Sequence, residues 1–152
     1  MAEHYGEEQV HLWRRGYGTQ PPPLSTTYPR HPRFDPRYRG MAAHHLPAGV
    51  SLADTLVRVV EVWEKSILPR LKNGKKILIA AHGNSLRALL KHLEHISGEE
   101  IMELNIPAGI PLVYESNTVF HVVARYYLAD DETVQAATHA VAHQASVANA
   151  AG

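Results

Sequence analysis

Apolar residues recur at helical spacing in several windows of the chain and gather into short runs in others. Leu52, Leu56, Val59, Val60, Trp63 and Ile67 form one core-facing stripe, and Trp63 reads as core with them. Ser51-Leu52-Ala53-Asp54 opens that helix as a capping box with Asp replacing the usual Glu or Gln, and Pro69 is expected to close it within a turn. A second stripe, Leu86, Leu89, Leu90 and Leu93, marks a helix from Leu86 to about Ile96, with Arg87, Lys91 and Glu94 off the stripe and His92 and His95 on the surface. Residues 2–15 give a helix with Val10, Leu12 and Trp13 opposed to Glu7, Glu8 and Arg14. Ser97-Gly98-Glu99-Glu100 starts a short helix through Leu104, and Asp130-Asp131-Glu132 places negative charge at the start of an Ala-rich helix through about Val147.

The strands predicted from the pattern are fewer. Asn73-Gly74 is a turn into Ile77–Ala81, a run that is apolar on both alternating faces and bounded by Lys75-Lys76 and Gly83-Asn84-Ser85. Such a run reads as a strand buried on both sides in a parallel sheet covered by helices. Pro111 to Glu115 reads as an edge strand and Val119 to Leu128 as its hairpin partner, with Asn117 in the turn. The expected class is α/β, a mostly parallel sheet with helices on both faces and a C-terminal hairpin, in one domain over residues 1–152.

Residues 16–50 obey neither period. Pro21-Pro22-Pro23 is extended polyproline, and Pro29, Pro32, Pro36 and Pro47 forbid a continuous helix. Arg30, Arg33, Arg37 and Arg39 make the segment basic, and Tyr17, Tyr28, Phe34 and Tyr38 can anchor it; a solvated loop is the plainer reading. His44-His45 reads as exposed, and His139 and His143, at i and i+4, lack the third ligand that a metal face needs.

Composition narrows the chemistry. The 15 basic and 15 acidic residues cancel, so no global field draws the chain to nucleic acid or membrane. The absence of Cys removes disulfides, a thiolate nucleophile and sulfur-ligated zinc. No run of about twenty apolar residues is present, and Met1-Ala2-Glu3-His4-Tyr5-Gly6 lacks the pattern of a signal peptide, so a cytoplasmic location is expected. Any anion site must be local, and one place suits it. His82 stands at the carboxyl end of the predicted strand and at the start of the next helix, which Asn84 or Ser85 can cap. Free N–H groups of a first helical turn, Gly83, Asn84 and Arg87 converge there on a phosphate or carboxylate. Arg14-Arg15 reads either as charge complementing a helix C-terminus or as a guanidinium clamp for an anion, the first being the commoner use of such a pair.

Ile77 to Arg87 resembles the second histidine motif of the cofactor-dependent phosphoglycerate mutases, in the histidine phosphatase superfamily. Tyr5-Gly6-Glu7-Glu8-Gln9-Val10, Trp13-Arg14-Arg15, Pro21-Pro22-Pro23-Leu24 and Asp35-Pro36-Arg37-Tyr38 resemble the same family in the same order, as do Ser51-Leu52, Asp54-Thr55, Asn105 to Glu115 and Tyr127-Leu128. The resemblance spans about residues 3–135. It implies a three-layer histidine-phosphatase fold and interconversion of 3- and 2-phosphoglycerate through a phosphohistidine, primed by 2,3-bisphosphoglycerate and without a metal. It implies that His82 is the supporting active-site histidine, that Gly83 and Asn84 contact substrate through backbone and side chain, and that Arg14 and Arg15 bind substrate, which reverses the first preference for that pair. The implied partner is a small phosphorylated molecule, with homo-oligomerisation left open.

The departures from the family pattern shape the expectation. The family's strand ending in Arg-His-Gly, whose His is the nucleophile, has no counterpart in the 152 residues, and neither has its catalytic Glu; Glu3, Glu7 and Glu8 do not occupy that place. Arg30-His31-Pro32 follows no apolar run and its Pro removes the needed N–H. Gly16-Tyr17-Gly18 replaces the more typical Ser-Tyr-Asp. The expectation is therefore a partial fold lacking the first core strand and a truncated mutase, inactive alone. The alternative is a non-catalytic remnant that binds phosphorylated ligands or a partner subunit.

Overall fold

The structure, a computed structural model, describes residues 5–147. The predicted helical start at residues 2–4 and the tail at 148–152 lie outside the described residues. Helix α1 spans Glu7–Arg15, entered through Gly6 at φ 81° and carrying Glu7 and Glu8 in its first turn and Arg14 and Arg15 in its last. It stops at Gly16, where a Cβ would lie 2.4 Å from the Leu12 carbonyl oxygen. Residues 16–50 contain three short 3-10 turns, Pro32–Phe34, Pro36–Tyr38 and Ala43–His45, and otherwise follow the irregular path expected of them. The segment is pinned at its ends: Ala53 N–H donates to Tyr17 O at 2.9 Å and Leu24 N–H to Ala48 O at 3.0 Å. His44 and His45 are exposed as expected, and Phe34 is 55% exposed, with the Arg33 guanidinium over its ring at 5.3 Å.

Helix α2, Leu52–Val62, has the capping box read from the sequence, formed in both directions between Ser51 and Asp54. Pro69 does not end the run. The backbone passes through a π-turn at Trp63–Ile67, where Leu68 N–H bonds to Trp63 O, and continues as α3, Leu68–Lys72, with Pro69 in its first turn. There the missing N–H costs nothing, and the wider turn absorbs the ring. Trp63 is half-buried rather than core, its ring edge-on to His92 at 6.4 Å, which draws His92 off the open surface. Helix α4 spans Gly83–Glu94 and ends on His95 in the left-handed conformation; α5 is the single turn Glu100–Glu103, preceded by Ser97, whose Oγ accepts from Glu100 N–H at 3.0 Å.

The predicted hairpin forms. Strands β1, Leu112–Ser116, and β2, Val122–Tyr127, pair antiparallel from Leu112↔Tyr127 to Ser116↔Val122, with an irregularity between Glu115 and Ser116. Asn117 Oδ1 holds the turn by accepting from the N–H groups of Val119 and His121, both at 3.0 Å. Glu94 ties the hairpin to α4, accepting from the Tyr114 hydroxyl and from Arg125 Nη1 at 2.8 Å. Helix α6, Asp131–Val147, begins at Asp130, whose Oδ1 accepts from Thr133 N–H at 2.8 Å.

The parallel sheet is not present among the described residues, whose only sheet is the two-stranded hairpin. Ile77–Ala81 runs without regular structure and is largely exposed, Leu78 by 90%. Its backbone amides find no partner among the described residues, because no second strand lies beside it. The core sits where α2, α4 and α5 meet. Leu52, Ala88 and Ile101 are buried there, with Tyr17, Leu56, Val59, Ile96 and Leu104 packed around them.

Candidate active site

The first turn of α4 is capped by His82 rather than by Asn84 or Ser85. Its Nδ1 accepts from Asn84 N–H at 3.2 Å, two residues on, as an Asx oxygen would. Its carbonyl accepts from Ser85 and Leu86 N–H at 2.9 and 3.1 Å. With Nδ1 an acceptor, a neutral His82 ring carries its proton on Nε2, and the side chain is exposed. Gly83 N–H has no partner among the described residues, and a Cβ at Gly83 would meet nothing within 4 Å. One exposed turn thus presents a ring N–H, a backbone N–H and the Asn84 amide.

Arg87, placed off the apolar stripe by the pattern, is in fact buried, 4% exposed. It turns inward because carbonyl oxygens at the ends of two other helices wait there. Nη1 donates to Asn84 Oδ1 at 3.3 Å, and Nη2 donates to Arg15 O at 3.1 Å and to Ile101 O. Burial first, and then the charge of Arg15, pull its pKa down to about 10, so it still carries its charge at neutral pH.

The structure divides the arginine pair. Arg15 is half-buried and donates from Nε to Met102 O at 3.0 Å and from Nη2 to Leu104 O at 3.0 Å and Asn105 Oδ1 at 2.7 Å. Burial lowers its pKa, Glu103 opposes that shift, and the charge of Arg14 adds to it. Arg14 is exposed at the end of α1. His82, Gly83 and Asn84 are therefore brought together directly. Arg15 is joined to them through its own carbonyl and Arg87, and Arg14 follows as its neighbour in the chain. The sequence reading set Arg87 among the groups converging on the anion; its guanidinium instead faces inward, onto Asn84 Oδ1 and two backbone carbonyls. Its spacing of three from Asn84, which puts both on one helix face, was the signal for the first of these contacts.

A cavity of about 270 Å³ opens between α2 and α4 beneath residues 77–81, lined by Val59, Val62, Ile67, Ile79, Ala81, Leu86 and Leu89 with Thr55, Arg58 and Ser85. None of the five predicted site residues lines it. Its walls are mainly aliphatic, the chemistry of an uncovered core face rather than of an anion site. No group of three or more His, Asp or Glu side chains suited to a metal converges among the described residues, and His139 and His143 stack with ring centroids 3.9 Å apart. No helix there is long and apolar enough to cross a membrane.

Residues 3–116 match the sequence profile of the histidine phosphatase superfamily, branch 1. The chain belongs to the histidine phosphatase superfamily. Among the proteins it resembles is the 2,3-bisphosphoglycerate-dependent phosphoglycerate mutase of Nitrosococcus oceani, 57% identical over 143 residues. Those residues are 94% of this chain, which spans 60% of that relative's length. All five candidate residues, and Arg87, fall inside the stretch that matches the superfamily, whereas β2 and α6 lie beyond it.

Proposed function

We propose that the chain is the phosphate-holding portion of a 2,3-bisphosphoglycerate-dependent phosphoglycerate mutase, acting on 3- and 2-phosphoglycerate in the cytoplasm. The observation that carries this reading is the first turn of α4. It offers His82 Nε2–H, Gly83 N–H and the Asn84 amide on one exposed surface, tied through Arg87 to the helix end that bears Arg14 and Arg15. Donors and positive helix-terminal charge at one place suit a group that carries two negative charges. Gly83 supports the same reading. Its backbone is not in the left-handed region and nothing crowds it, so the fold does not require glycine there; close approach of a ligand to its N–H does.

In this reading His82 donates from Nε2 to an oxygen of the phosphoryl group in transfer. Gly83 N–H and Asn84 hold further oxygens, and Arg14, with the Nη1 end of Arg15, neutralises the substrate's charge. 2,3-Bisphosphoglycerate suits this all-donor set and, when bound, supplies the phosphoryl group that primes the enzyme. The nucleophile is a histidine of an Arg-His-Gly strand, which the 152 residues do not include. Binding without turnover is therefore expected of this polypeptide. The same reading makes Ile77–Ala81 a core strand of a three-layer sheet, ordered once strands stand on both sides of it.

Calorimetric titration of residues 1–152 with 2,3-bisphosphoglycerate tests the site. Saturable binding lost in His82→Ala and Arg14→Ala supports it, and no binding, or binding indifferent to both substitutions, overturns it. A coupled assay that finds 3- to 2-phosphoglycerate conversion at an ordinary enzymatic rate would refute the absence of a nucleophile.

A further inference from the structure

We propose that Arg87 is the positioning residue of this site: its guanidinium sets which end of the Asn84 amide faces the ligand and holds the arginine-bearing end of α1 against the first turn of α4. The inference rests on the reading of that turn as an anion site, and goes beyond it by naming a residue that does not touch the ligand.

Three features lead to it. Arg87 is buried, yet none of the described ion pairs includes it; its partners are the Arg15 and Ile101 carbonyls and Asn84 Oδ1. A buried cation without a carboxylate is costly and is kept only where its hydrogen bonds order something. Second, the three acceptors belong to three different helices or their ends. Only a forked side chain reaches them at once, since a lysine offers a single point of charge. Third, Asn84 Oδ1 is occupied by Arg87 Nη1 at 3.3 Å, which leaves Nδ2 as the free end of the amide. An anion needs donors, so the amide stands with the correct end outward before any ligand arrives. The Arg15 carbonyl, held by the same guanidinium, fixes where Arg14 and Arg15 leave α1. Nε of Arg87 is buried without a partner, so the side chain is placed for Nη1 and Nη2, at the expense of its remaining donor.

Arg87→Lys keeps the charge and removes the fork. It is expected to stay folded by circular dichroism, to bind 2,3-bisphosphoglycerate at least tenfold more weakly, and to shift the side-chain amide resonances of Asn84. Asn84→Asp approaches from the other side: its carboxylate still accepts from Arg87, so its Tm stays at or above that of the parent, while binding is lost because the donor has become an acceptor. Unchanged affinity together with unchanged Asn84 resonances in Arg87→Lys would overturn the proposal, as would Asn84→Asp melting as low as Asn84→Ala. If the parent chain binds no bisphosphoglycerate, the anion-site reading falls. The Asn84 resonances and the two melting comparisons then still decide whether Arg87 orients that amide.

Discussion

At the scale of single residues, the site depends on how each donor is left free. Gly83 separates folding from binding. Alanine there fits the helical backbone without a clash, so Gly83→Ala is expected to be neutral or to stabilise the chain by up to about 1 kcal/mol, as glycine replacement in a helix usually does. The added methyl group blocks approach to the N–H, and affinity for 2,3-bisphosphoglycerate is expected to fall about tenfold; a melt and a titration of the same sample check both. Gly16 is the opposite case. Its missing Cβ would overlap the Leu12 carbonyl, so Gly16→Ala is expected to lower the Tm by several degrees in a thermal scan without any ligand present. Candidate residues were legible in the sequence because His-Gly-Asn after an apolar run is a local pattern. The inward turn of Arg87 was not, because its acceptors on Arg15 and Ile101 come from helix ends remote in the chain.

Among the elements, most local punctuation formed as read and the hairpin found its partner, but the α4 cap falls on His82 and Pro69 does not end its helix. The Ser51–Asp54 box and the Asn117 turn form, and the helix starts at Ser97 and Asp130 are held by Ser97 Oγ and Asp130 Oδ1, because each is a contact within four residues. The π-turn before Pro69 is invisible to a periodicity argument, which sees only a helix breaker. Ser51→Ala is expected to destabilise the chain by about 1 kcal/mol, the usual cost of losing an N-cap, in a urea melt. The other half of the box titrates. Hydrogen bonds from the Ser51 side chain and backbone, then from Gln20, lower the Asp54 carboxyl from its ordinary 3.8 to about 2. A depressed carboxyl pKa stabilises the folded state above its unfolded value and loses that effect as pH falls through the folded one. The gap in Tm between the parent and Asp54→Ala is therefore expected to be full at pH 7, to shrink from about pH 4, to be mostly lost by pH 2 and to close below it. A gap undiminished at pH 2 would show that the capping carboxylate is not its source.

For the whole molecule, the decisive stretch is Ile77–Ala81. Its composition called for a strand buried on both faces, and the segment is instead exposed and without regular structure. What the pattern could not supply is the company a strand needs, because a ladder is a property of two segments. Leu78 and Ile79 lie exposed beside the aliphatic trough between α2 and α4, with Val62 also exposed along it. Hydrophobic burial on this side of the molecule is therefore incomplete, whereas on the other side Leu52, Ala88 and Ile101 are sealed. Hydrogen exchange should divide along this line. The amides of residues 77–81 are expected to exchange at nearly the unprotected rate, while those of Leu89 and Leu90 in α4 exchange slowest. A broad thermal transition and binding of a hydrophobic dye are expected with it. If instead residues 77–81 prove protected in a sharply melting monomer, the strand has found partners within the 152 residues, and the open trough would have to close around it.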